Sequence, residues 1–140
     1  MQTFIPYGDN FALAAEVLDR QRLGKQRVEG LQILNTLTGV STGWRHHPAV
    51  TAWVGFEELL AHYVFAVCDE WTGRGYKDTC RDKVRSLFTS IQDLDALDRF
   101  DWLVDPEVAI SHRSNLIRKL PEHYAAIWPD IDPSIPYKWA

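Results

Sequence analysis

"AVTAWVGFEELLAHYVFAVCDEW", residues 49–71, is the stretch on which the fold turns. Projected as a helix, its apolar residues leave almost no polar side. A helix that is apolar nearly all round belongs at the buried centre of a small domain. Pro48 suits the first turn of such a helix, and "TGRGYKD", residues 72–78, ends it with two glycines.

Working outward toward the start, "TGVSTGWRHHP", residues 38–48, reads as a loop rich in Gly, Ser and Thr. Before it, apolar residues recur at helical spacing from Phe11 to about Leu37, which predicts one long first helix. "GDN", residues 8–10, offers a turn and an N-cap at Asp9 or Asn10. Pro6 keeps "MQTFIPY", residues 1–7, from being helical, so a short extended arm is expected there.

Toward the other end, Asp78 is placed to cap a third helix through about Thr89, and "DLDALDRFDWLV", residues 93–104, holds a short helix. Asp105 caps and Pro106 opens "DPEVAISHRSNLIRK", residues 105–119, and Leu120-Pro121 ends it and starts "PEHYAAIW", residues 121–128. The three prolines of "PDIDPSIPYKWA", residues 129–140, predict an extended tail over the surface. The fold class is therefore all-α: one compact domain over residues 1–140, with several helices around a central buried one.

At 140 residues, 46% hydrophobic with six tryptophans, the chain buries a core without disulfide or metal staples. A monomer is the default, since folding needs no partner. Nothing approaches the roughly 20 consecutive apolar residues of a membrane span. The start lacks a signal peptide's basic end and apolar run, so a cytoplasmic protein is expected. Cys68 and Cys80 stand apart and are read as reduced thiols. No cofactor is called for. Zinc is not expected either, because adjacent histidines and dispersed cysteines lack the usual ligand spacing. A net charge of −4 argues mildly against indiscriminate DNA binding but leaves room for a local basic groove.

The stretch "DRQRLGKQRVE", residues 19–29, carries such a groove's raw material: Arg20, Arg22, Lys25 and Arg27. At 100° per residue, Arg20 and Arg27 fall with Val17, Leu23, Leu31 and Leu34, while Arg22 and Lys25 fall near Glu29. An arginine on an apolar helix side either pairs with a buried carboxylate or borders a cleft, because a lone buried charge is costly. Glu57, in line with the apolar side of the central helix, is the natural partner for Arg27. A core ion pair and a cleft constellation both remain open.

Two more clusters stand out. Trp44, Arg45, His46 and His47 form one loop ahead of a helix N-terminus. They combine an aromatic plane, a cation and two imidazoles with free backbone N–H groups, which suits an anion or base pocket. A helix cap with a core tryptophan is the alternative. In "SHRSNLIRK", residues 111–119, the trio His112, Arg113 and Asn115 either lines a groove or faces water, and Lys119 is expected in water. No phosphate-cradling glycine loop, GxSxG elbow or HExxH is present.

The order of "LDRQRLGKQRVE", "HHPAV…W…EELLAHY", "RGYKDT" and "SHRSNLIRKLPEHY" resembles the pyrimidine-dimer DNA glycosylases, the phage endonuclease V-like family. The likeness runs over nearly the whole chain and is nearest to a bacterial branch that begins much like "MQTFIPY". It implies a helical domain that binds duplex DNA, flips a base and cuts the glycosidic bond with the α-amine of the first residue. Such an amine titrates near 7.7–8.0, against about 10.4 for lysine, so a useful share is uncharged near neutral pH. It attacks the sugar C1′ and forms a Schiff base, and β-elimination can then nick the strand.

Residue by residue, the family's first-helix arginine lands on Arg27, but Val28 follows it and the carboxylate comes one step later, at Glu29. Glu57 is the second candidate for that carboxylate. Gln2 is bulky and should leave Met1 in place, so Met1 supplies the amine. The resemblance thus implies Met1, Arg27, Glu29 and Glu57 as catalytic residues. Arg20, Arg22, Lys25, Trp44, Arg45, His46, His47, His112, Arg113 and Asn115 are the nucleic-acid-binding candidates. Two other functions are carried beside it: a non-catalytic nucleic-acid or nucleotide-binding module on this scaffold, and an enzyme acting on a small metabolite.

Overall fold

The computed structural model describes every residue from Met1 to Ala140, and its regular elements are all helical. The long apolar segment is not one helix but two, α3 (Pro48–Thr51) and α4 (Glu57–Gly73). The break falls at Gly55, whose φ of +84° lies in the left-handed region that glycine alone enters freely. Gly55 N–H donates to Glu57 Oε1 at 3.2 Å, so Glu57 closes the turn ahead of α4. From there α4 runs through the core and buries Leu59, Leu60, Tyr63, Val64 and Val67.

The first helix also divides, into α1 (Phe11–Val17) and α2 (Arg20–Leu37). No breaker residue marks the elbow at Leu18–Asp19. Distant groups hold it instead. The Arg74 guanidinium donates to the carbonyls of Ala15, Glu16 and Leu18 at 3.4, 3.1 and 2.8 Å, satisfying the open end of α1. Asp19 caps α2 by accepting from Arg22 N–H and is fixed by Tyr124, whose hydroxyl accepts from Asp19 N–H at 2.9 Å. Burial works to raise the Asp19 carboxyl, yet its bonds from Tyr124 and Arg22 hold it below the usual range.

Helices α1 and α2 both pack against α4. Where α2 crosses α4, Gly30 lies so close to Val64 that an added Cβ would sit 2.4 Å from its Cγ2. The third helix, α5 (Cys80–Ser86), covers this pair and stops short of Thr89. Asp78 does cap it, accepting from the N–H groups of Cys80 and Arg81. Beyond it come a 3₁₀ turn (Leu94–Ala96), α6 (Asp101–Val104), α7 (Pro106–Lys119) and α8 (Pro121–Tyr124). No helix is long and apolar enough to cross a membrane.

The arm explains how an extended segment survives inside a helical core. Backbone donors buried without partners are costly, and no strand lies beside residues 2–5 to accept from them. Side chains do so instead. Gln2 N–H donates to Glu29, Thr3 N–H to the Gln2 amide, Phe4 N–H to Gln26 and Ile5 N–H to His112 Nδ1. Tyr63 and Arg113 in turn donate to the carbonyls of Phe4 and Pro6. The tail is pinned likewise along α7, with Ile135 N–H on Ser114 Oγ and Lys138 N–H on Ser111 Oγ.

These contacts correct one sequence expectation. His112 and Asn115 are buried and line no groove, while Arg113, half-buried, edges a surface hollow with Tyr7, Asn10 and Asp105. His112 is fully buried as the acceptor for the arm. Arg113 stacks over the Tyr7 ring at 4.7 Å, and Asn115 Nδ2 donates to the carbonyls of Ser111 and Ile135.

Candidate active site

The two sides of α2 separate the arginines that the sequence grouped. Arg27 does not meet Glu57. Its Nη1 lies 2.6 Å from Asp78 Oδ1, with side chains only 15% and 3% exposed, and its guanidinium sits 4.5 Å over the Trp71 ring. Burial tends to raise the Asp78 carboxyl, but the Arg81 and Cys80 backbone and the Arg27 guanidinium hold it below the usual range. The buried ion pair expected in the core is thus present with a different carboxylate, one that only the α4–α5 turn brings there. Cys68 and Cys80 lie beside it; burial pushes both thiols up, which makes them poor nucleophiles. Glu57 stands elsewhere, on a 610 Å³ hollow with Glu58, Phe88 and Asp98.

On its other side α2 faces the arm across a cavity of about 350 Å³. That is within the size range of small-ligand sites. Met1, Arg22, Lys25, Glu29 and His47 line it. The Glu29 carboxylate is placed by the arm. Its Oε2 accepts from Gln2 N–H at 3.2 Å and from Gln26 Nε2 at 3.2 Å, while Gln26 Nε2 also donates to the Gln2 carbonyl at 2.8 Å. The carboxylate therefore lies one residue from the chain's first amine. Arg22 reaches the same cavity while holding Asp19 at 3.3 Å.

A second hollow of about 530 Å³ continues across the outer face of α2, sharing Lys25 and Glu29 with the first and adding Arg20 and Trp71. Gly24 makes that floor possible: a Cβ there would lie 3.0 Å from the Trp71 ring. Arg20 and Lys25, both exposed, stand along this groove.

The Trp44–His47 loop sits at the cavity's rim. His47 is both wall and helix cap, its Nδ1 accepting from Ala49 N–H at 3.0 Å. Trp44 meets its ring edge-on at 5.9 Å, and Trp44, Arg45 and His46 are exposed. The core-tryptophan alternative for this loop does not hold; the helix cap does.

Several cavity residues escaped the sequence reading. Lys119, exposed as expected, also lines the cavity's edge, as do Tyr137 and Trp139 of the tail. Burial pushes the Tyr137 phenol up, so it remains an uncharged O–H. Nothing in the spacing connects residues 119–139 to residue 1, so only the fold could find them. Gln26 did leave a signal. It is a polar residue in the apolar row of Leu23, Gly30 and Ile33, and such a residue is buried only where partners await it.

No curated protein and no solved structure matches the chain significantly. A family model described as "Pyrimidine dimer DNA glycosylase" matches residues 1–84, the arm through α5, and so takes in Met1, Arg22, Glu29 and His47 but not the tail. That match spans well over half of the 140 residues and falls on the segments that build the cavity, so the chain belongs to the pyrimidine dimer DNA glycosylase family.

Proposed function

We propose that the cavity between the arm and α2 receives the sugar of a nucleotide turned out of duplex DNA, and that the Met1 α-amine attacks it. Family membership supplies the DNA-glycosylase class of activity. The observation that carries the finer reading is the convergence of Met1 and Glu29 on one cavity, with the Gln2 amide holding Glu29 Oε2 at 3.2 Å.

The neutral amine adds to C1′ as the C1′–N glycosidic bond breaks, and the base leaves with that bond's electron pair and a proton. Opening of the sugar ring gives a Schiff base. Loss of a C2′ proton then expels the 3′ phosphate by β-elimination, and water releases the enzyme from the imine. Glu29 accepts the proton that the amine sheds and stabilises the positive charge developing on the sugar. Arg22, Lys25 and Arg20 hold backbone phosphates along the groove on α2. Extrusion brings C1′ within reach, because a base in the stack hides it.

Borohydride reduction in the presence of duplex oligonucleotide with an abasic site tests this. Native protein should give a covalent complex that disappears when one residue is added ahead of Met1, and Glu29→Gln should slow its formation at least tenfold. Trapping that survives the extension would move the nucleophile to a lysine such as Lys25. Salt-sensitive DNA binding without any adduct would favour the non-catalytic binding module.

A further inference from the structure

Gln26 is the long polar side chain that α2 takes fully into the core. It is 1% exposed, in a row with Leu23, Gly30 and Ile33. A buried primary amide has two donors and room for two bonds on its oxygen, and this one uses them all. Its Oε1 accepts from Phe4 N–H at 2.9 Å and from the Tyr63 hydroxyl at 2.7 Å. Its Nε2 donates to the Gln2 carbonyl at 2.8 Å and to Glu29 Oε2 at 3.2 Å. The partners fix its orientation. Phe4 N–H can only donate and the Gln2 carbonyl can only accept, so the amide's oxygen and nitrogen cannot trade places.

Three of these bonds satisfy the arm's backbone and a buried phenol, as the fold requires. The fourth does not serve the core. Glu29 is half-buried at the cavity, where its carboxylate could turn to water. Nε2 instead holds Oε2, the same oxygen that Gln2 N–H reaches at 3.2 Å. One amide nitrogen thus grips both the peptide that follows Met1 and the carboxylate on α2. Behind it, Tyr63 on the central helix supplies the fixed point.

The separation of a nucleophile from its proton acceptor matters steeply, since an ångström of misplacement can cost about a hundredfold in rate. We propose that Gln26 is a positioning residue for the reaction, fixing the Met1 amine against the Glu29 carboxylate through Nε2. It touches no reacting atom. The inference rests on the reading of Met1 as nucleophile and Glu29 as its proton acceptor.

Borohydride trapping on an abasic duplex, with protein in excess, separates positioning from folding. Gln26→Glu keeps the oxygen that Phe4 and Tyr63 need and replaces only the donor, so the new carboxylate repels Glu29. Its rate constant at saturating protein should fall by about tenfold or more, while the half-saturating concentration stays within about twofold. Gln26→Met, which adds no charge, should show the same pattern and serves where Gln26→Glu does not fold. A residue that only supports the fold would reduce the amount of protein that traps and leave the rate constant unchanged, and that result would overturn the proposal. A second measurement needs no DNA. In an NMR titration of native protein the Gln2 amide proton, bonded to Glu29, should follow the ionisation of that carboxylate, and in Gln26→Met it should follow it no longer. A Gln2 amide that still follows Glu29 in the variant would equally overturn the proposal. If native protein traps no DNA, the amine reading fails, and the Gln2 signal alone decides whether Gln26 sets the pair.

Discussion

On one flank of α2, Arg27 is locked to Asp78 under the Trp71 ring. On the other, Gln26 and Glu29 clasp the arm through backbone amides, and further arm contacts come from His112, Tyr63, Trp53 and Arg113. The first flank spends its charges on folding. The second is held mostly by neutral donors and acceptors, which leaves Met1, Arg22 and Lys25 facing a cavity. A site that must meet a charged ligand keeps its cations out of the core's ion pairs, and the two sides of one helix show how that separation is made.

If this contrast is right, the largest effect of any single change belongs to the charged flank. Arg27→Ala strands the buried Asp78 carboxylate and should cost about 3 kcal/mol or more, read from urea midpoints. A loss below about 1 kcal/mol would mean that the pair contributes no more than a surface contact.

The neutral flank should instead reveal itself through pH. Burial pushes the His112 imidazole down to about 3, against an ordinary value near 6.5. The unfolded chain therefore takes up this proton first as pH falls. The stabilisation is complete above about 6.5 and is lost progressively toward 3, at close to 1.4 kcal/mol per pH unit. By pH 5 the loss should reach about 2 kcal/mol, before the lowered carboxyls of Asp19 and Asp78 begin to titrate. His112→Asn should flatten the pH–stability curve over this window, and an unchanged slope would remove His112 as its source.

The smallest stability effect should come from the cation that faces the cavity. Arg22→Ala removes a cation that is itself partly exposed, and the buried Asp19 carboxylate keeps its bond from the Tyr124 hydroxyl, so stability should change by less than about 1 kcal/mol. Its effect should appear on DNA, as a salt dependence of binding shallower by about one phosphate contact. If Arg27→Ala and Arg22→Ala prove alike in both measurements, the two flanks are not different in kind.

Much of the scaffold was legible because its signals are local. Asp105 and Pro106 mark the start of α7, Pro6 keeps the arm extended, and the apolar segment before Trp71 puts α4 at the centre. The elbow at Leu18–Asp19 was not legible, because Arg74 and Tyr124 impose it from far along the chain. Periodicity placed Arg22, Lys25 and Glu29 on a common side of the first helix, and they share one cavity. It also set Arg20 beside Arg27 on the apolar side, yet Arg20 is exposed. Both lie on one side of α2, seven residues apart, but Arg20 is its first residue, where the side chain reaches past the packed part of the helix into solvent.

By itself the sequence determined the helical class, the buried centre, the arm and the identity of the family, since helical period, caps and prolines act over a few residues. Which carboxylate meets Arg27, and which residues share a hollow with Met1, were decided only by the tertiary structure. Those pairings join positions far apart in the chain, where the cost of burying an unpaired charge selects whichever partner the packing brings within reach.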